Sequence, residues 1–134
     1  MRRRFFMSVA LLAFVGQAYS TNALAADPFF CSPSRKEICN YDKPCEVVPV
    51  DDFLVIIDDE TNVYMRCDKP DRATCVTYTM VKSGDYKRYM TYEIAGHGGF
   101  SKLGPDGDWA EAVSLAGMIV VSHGMCSRAS ALKQ

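Results

Sequence analysis

The chain has 134 residues, 49% of them hydrophobic, and a formal net charge of −1. Beyond residue 25, twelve basic side chains stand against sixteen acidic ones, a net of −4, which argues against a nucleic-acid partner because phosphate backbones are bound by clustered cations. The length suits one domain with a modest core, to which six cysteines offer covalent help.

Arg2, Arg3 and Arg4 form a positive start, and Phe5 to Val15 is an apolar run interrupted only by Ser8. Ala23-Leu24-Ala25 then supplies the small-x-small pattern that a signal peptidase cuts after. The run is too short to cross a bilayer, which takes about 20 residues. Residues 1–25 are therefore expected to be a signal peptide, with a single mature domain over 26–134 in the periplasm or secreted. Arg2-Arg3-Arg4-Phe5-Phe6 also resembles a twin-arginine signal, so the export route stays open. No cysteine directly follows the cleavage point, and no membrane anchor is expected after cleavage.

Residues 26–50 hold Pro28, Pro33, Pro44 and Pro49 with three cysteines. They read as an irregular, stapled cover, with Ser32-Pro33 able to open one helical turn. Phe53–Ile57 is apolar and β-branched, the mark of a buried strand. Asp58–Asn62 reads as a polar turn, and Val63–Cys67 and Cys75–Val81 as the next strands. Ser83-Gly84-Asp85 is expected to turn the chain into a strand over 86–94, which Gly96–Gly99 breaks. Over 109–116, an acidic start with a capping-box glutamate favours a short helix. The same residues also read as a strand closing a hairpin at Ala116-Gly117. Met118–His123 is a buried strand running to Cys126, and 127–134 reads as a frayed tail. The predicted fold is mainly β: a small antiparallel sheet (meander, barrel or sandwich) with an irregular stapled N-terminal segment.

Cys31, Cys39, Cys45, Cys67, Cys75 and Cys126 make an even set in an exported small domain, which implies three disulfides. Their spacing matches no zinc pattern. Cys67 and Cys75 flank a polar loop with Pro70-Asp71 turn chemistry and are expected to pair. Cys126 is expected to tie back to Cys31, Cys39 or Cys45. The predicted architecture resembles the periplasmic lysozyme inhibitors, small exported β-barrels bridged from near the start to near the end. No motif aligns residue by residue, so no functional residue is carried over.

Two histidines are the side chains that titrate near neutrality. Gly96-His97-Gly98-Gly99 resembles the oxyanion loop of lipases, but no Gly-x-Ser-x-Gly elbow accompanies it. It reads as a glycine-rich bend with His97 on the surface. Ser122 and His123 are adjacent on a strand and point to opposite faces. A small hydrolase or metal-dependent enzyme using His97 and His123 is one alternative. A copper protein using them with Met65, Met80, Met90, Met118 and Met125 is another, although four of these methionines sit in apolar strand patterns. Asp58-Asp59-Glu60 and Asp106 with Asp108 lack a calcium-loop pattern and read as solvated turns. Tyr86, Lys87, Arg88, Tyr89, Phe100, Lys102 and Trp109 mix aromatic and basic groups as partner surfaces do. The expected function is a binding or inhibitory module for a protein or glycan, with no catalytic residue and no cofactor.

Overall fold

The computed structural model describes residues 27–50, 52–68 and 74–133. The expected signal peptide and the Pro70-Asp71 turn lie outside the described residues. The strands are β1 (Phe29–Asn40), β2 (Glu46–Val48), β3 (Phe53–Asp58), β4 (Val63–Asp68), β5 (Cys75–Tyr86), β6 (Tyr89–Ile94), β7 (Gly99–Leu103), β8 (Asp108–Leu115) and β9 (Met118–Arg128). From β3 onward each strand pairs antiparallel with the next. β1 closes the sheet: one edge pairs with β9 from Phe29 to Asn40. The other edge pairs first with β3, at Phe29–Cys31, and then with the short β2, at Lys36–Ile38. The result is an eight-stranded barrel with β2 as a flap on its wall. Eight strands enclose a space that side chains just fill.

Alternation decides which side chains fill it. Val55, Ile57, Tyr64, Met80, Tyr92, Ile94, Leu103 and Trp109 join Cys31 and Cys126 in one buried cluster. β3 is buried along its whole length, which accounts for its unbroken apolar run. Its other face carries Leu54 and Ile56 into a second cluster with Cys67, Phe30 and Met65. Asp58 ends β3 by accepting hydrogen bonds from the Glu60 and Thr61 amides (3.1 and 3.0 Å), which shapes the acidic turn.

Six sequence expectations are corrected. Residues 26–50 are not an irregular cover, since β1 is a principal wall of the barrel. Ser32-Pro33 opens no helical turn; it lies in β1, where the register with β9 shifts between Pro33 and Arg35. Pro33 faces Gly124 there, and a Cβ on Gly124 would run into the Ser32 carbonyl. Residues 109–116 are not a helix. They form β8, whose inward Trp109, Glu111 and Val113 alternate with more exposed neighbours. Pairing on both edges, to β7 and β9, outweighs the local capping signal. The hairpin reading is the correct one, with Ala116 and Gly117 at φ 31° and 91°. Ser83-Gly84-Asp85 is a bulge inside β5, not its turn. β7 begins at Gly99, where only a break was expected. The tail is ordered as far as Lys133: Arg128 ends β9, stacks on Phe29 at 3.7 Å and donates to the Asp27 carbonyl at 2.8 Å, and Ala129–Lys133 follows as a 3-10 turn.

Cys67–Cys75 joins cross-strand partners of β4 and β5, as expected. Cys126 pairs with Cys31 inside the barrel, and Cys39–Cys45 closes the loop between β1 and β2. Three disulfides fit an oxidising compartment, extracellular or periplasmic. No helix among the described residues is long and apolar enough to cross a membrane. Because Cys31–Cys126 spans 95 positions and Cys39–Cys45 only 6, loop-closure entropy ranks them. Removing the first by paired alanines is expected to cost about 4–5 kcal/mol and removing the second about 2 kcal/mol in denaturant unfolding.

Candidate functional site

The strand directions define two barrel ends. At one end lie the β6–β7 turn (95–98), the β8–β9 turn (116–117) and the Cys39–Cys45 loop. At the other lie the β5–β6 turn at Lys87-Arg88 and the Cys31–Cys126 bridge. The first end holds a polar interior cluster.

Glu111 is its centre. β8 alternation turns this side chain inward between Trp109 and Val113, leaving it 1% exposed. Its Oε1 lies 3.4 Å from Arg66 Nη1 and 3.3 Å from His97 Nε2. Arg66 comes from β4, and its guanidinium is braced by stacking at 3.8 Å over Phe53. His97 arrives from the glycine-rich bend. Gly96 and Gly98 have φ of 75° and 68°, a conformation that glycine adopts without steric cost. The Gly98 carbonyl accepts from the Ser114 amide at 3.0 Å, which lays the bend over β8. His97 is thus inside the wall and not on the surface. Its ring stacks on Tyr78 with centroids 4.8 Å apart, and Tyr64 meets it edge-on at 6.1 Å.

Tyr64 Oη, His97 Nε2 and Glu111 Oε2 are buried and complete no hydrogen bond among the described residues. Polar atoms in that state cost free energy, so such clusters need a reason. Burial, and then the nearby Glu111 carboxylate, push the Tyr64 phenol well above its ordinary range. Above the cluster opens a cavity of about 290 Å³, lined by Lys36, Tyr78, Val113, Leu115, Val120 and Ser122 together with Arg66, His97 and Glu111. Ser122 is the cross-strand partner of Glu111, and its hydroxyl makes no hydrogen bond to His97 among the described residues.

The sequence-predicted face falls elsewhere. Tyr86, Lys87, Arg88 and Tyr89 form the β5–β6 hairpin tip, all exposed. Phe100 and Lys102 also point outward, opposite Glu93 and Thr91 of β6. Trp109 does not belong to this face. It is 3% exposed in the core, with its indole N–H donating to Ser101 Oγ at 2.8 Å. His123 and Met125 flank a shallow hollow of about 280 Å³ with Tyr89, Lys102 and Asp108. Asp108, hydrogen-bonded to the Tyr89 phenol, raises its pKa.

The histidines do not converge: His97 lies within the wall beside buried Glu111, whereas exposed His123 alternates outward from buried Ser122. The methionines scatter too. Met80 is buried in the core, Met65 packs on the outer cluster, Met90 accepts from the Tyr92 hydroxyl and Met125 is exposed. No group of three His, Cys, Asp or Glu among the described residues is arranged to hold a metal. Compared with protein-family models, curated proteins and solved structures, the chain matches none.

The cluster separates two substitutions. Arg66→Ala leaves the Glu111 charge with a single close partner and is expected to cost about 3 kcal/mol in urea unfolding. Tyr64→Phe removes a hydroxyl that completes no hydrogen bond and is expected to stay within about 1 kcal/mol of the parent. A second test is alkaline. Burial first, then the Asp59 and Asp85 carboxylates, push Tyr92 up to about 12. The folded chain therefore keeps protons that the unfolded chain loses near pH 10. Stability is expected to be complete below about pH 10 and to fall as pH rises from there toward 12. Tyrosinate absorbance should show Tyr64 and Tyr92 ionising together with the loss of circular dichroism.

Proposed function

We propose that the chain is an exported, non-catalytic binding or inhibitory module. It presents the β5–β6 hairpin tip and the adjoining outer sheet face to a protein or glycan in the envelope or outside the cell. The observation that carries this reading is the backbone of the tip. Tyr86 and Tyr89 are directly paired, so the loop has two residues, Lys87 and Arg88, with φ of 48° and 71°. Two-residue hairpin loops of this kind strongly favour Asn-Gly or Gly-Gly. Two long cationic side chains in left-handed conformations cost stability, and backbone strain of this type clusters at functional sites.

What the strain presents is chemically coherent. Tyr86 is 65% exposed and has Lys87 Nζ 5.2 Å from its ring centre. Phe100 and Lys102 extend the mixed aromatic and basic character along the sheet. Rigid aromatics and arginine are the residues that dominate binding energy at interfaces. The surrounding chain is net acidic, so this cationic tip is a local feature that steers an acidic partner, protein or glycan. Export to the periplasm or beyond accords with the residue 1–25 pattern and the three disulfides.

A double variant, Lys87→Asn with Arg88→Gly, tests this directly. It should raise folding stability by about 1–2 kcal/mol, because both residues suit the turn. Affinity capture from envelope and host extracts should give one saturable partner with the parent and lose it with the variant. Equal capture by both proteins, or a variant that gains no stability, would overturn the reading.

A further inference from the structure

Where the hairpin tip faces one end of the barrel, the cavity over Glu111 opens at the other. We infer that this cavity is a binding site for a small organic anion with an apolar body, a carboxylate of roughly ten heavy atoms.

Three features of the cavity converge on that chemistry. The first is its depth profile. Along β8 the inward positions pass from Glu111, 1% exposed, through Val113 to Leu115, 47% exposed at the rim. A closed polar floor thus grades into an open apolar wall, which Val120 of β9 completes from the strand alongside. The second is charge. Lys36 and Arg66 line the cavity and Glu111 is its sole carboxylate. The lining thus sets two cationic side chains against one carboxylate, in a chain that is net negative beyond residue 25. A positive cavity with low-dielectric walls concentrates anions. The third is that the floor is already assembled. Glu111 does not need the ligand to neutralise it, because Arg66 Nη1 sits 3.4 Å from its Oε1. Glu111 instead holds the guanidinium in place, and the Phe53 stack fixes its plane. A guanidinium oriented in advance binds a carboxylate with little further ordering.

The apolar walls select against inorganic anions. Val113, Val120 and the Tyr78 ring offer a ligand tail contact that chloride or phosphate would not use. Barrel mouths are common places for such sites. The site is independent of the tip, since no residue named here touches Tyr86 to Tyr89.

Octanoate, octylamine and octanol, identical in chain length, provide the test. Each is titrated into the oxidised protein and followed by amide and methyl NMR shifts. Octanoate should saturate a single site, with the largest shifts at Val113, Val120 and Tyr78, and bind about ten-fold more tightly than octanol or octylamine. Lys36→Gln, which alters a side chain at the edge of the cluster, should weaken octanoate about ten-fold with the spectrum otherwise preserved. Lys87→Asn with Arg88→Gly should leave octanoate binding unchanged, so failure of one site is distinguishable from failure of the other. Absence of a saturable shift would overturn the inference. So would equal affinity for the three probes, tighter binding of octylamine, or a folded Lys36→Gln variant that binds octanoate as the parent does.

Discussion

A row of strands becomes a barrel only when its first member meets its last, and β1 makes that meeting. It is long enough to hold β9 along one edge while dividing the other between β3 and β2. Closure removes the exposed sheet edges that would otherwise recruit another chain. It is also the most non-local contact in the molecule, joining the start of the described chain to its end. The Cys31–Cys126 bridge sits inside this seam, across directly paired residues. Gly124 lets the two backbones come close at Pro33, where β1 is irregular. Arg128 seals the end of the seam against Phe29 and Asp27. Everything else in the structure depends on this ring staying shut, including the direction in which each side chain points.

Seam and meander differ in how plainly the sequence announces them. β3, β4 and the first half of β5 are legible, because β-branched and aromatic residues alternate between polar turns. The Cys67–Cys75 pair is legible for the same reason: cysteines at the two bases of a hairpin loop face each other. β1 is obscured by its own composition. Prolines normally interrupt strands, but Pro33 is accommodated at a bulge; of the cysteines in β1, Cys31 is a cross-strand staple and Cys39 closes the loop to Cys45. β8 carries two periods at once. Trp109, Ala112, Val113 and Ala116 fit a helical face, and Trp109, Glu111 and Val113 fit a strand. Only the neighbours β7 and β9 choose between them, and they are remote in the information a local window holds.

The site was legible in part, and its parts separate by the same logic. Aromatic and basic residues from Tyr86 to Lys102 could be grouped from sequence because the hairpin that presents them is local. Trp109 does not belong with them, since its indole fills the core beside Ser101. The interior cluster was not legible at all. In the sequence Glu111 reads as a capping-box residue, Arg66 as one member of a strand and His97 as part of a surface bend. They meet because a closed barrel folds β4, β8 and the 95–98 turn around one axis. No spacing within the sequence encodes that distance. The nearest available signal was the pair of glycines around His97, which mark a chain that must bend tightly for some purpose.

The seam and the polar floor also explain each other energetically. A domain of this size has a modest apolar interior, and here Glu111, Arg66, His97 and Ser122 occupy space that aliphatic side chains could fill. A buried ion pair is seldom more stabilising than the apolar residues it displaces. The shortfall has to be met elsewhere, and disulfides meet it without occupying the mouth. They act on the unfolded chain, by reducing its freedom. Cys31–Cys126 lies at the apolar end of the barrel, beside Val55 and Trp109, and Cys67–Cys75 lies on the outer wall. Cys67–Cys75, beside Arg66, and Cys39–Cys45, in the loop between β1 and β2, lie toward the mouth end without lining the cavity. Cross-links placed this way hold the ring closed while leaving one end of its interior available for charge. The strained Lys87-Arg88 turn adds a further local cost at the opposite end, one that a covalently closed ring can carry.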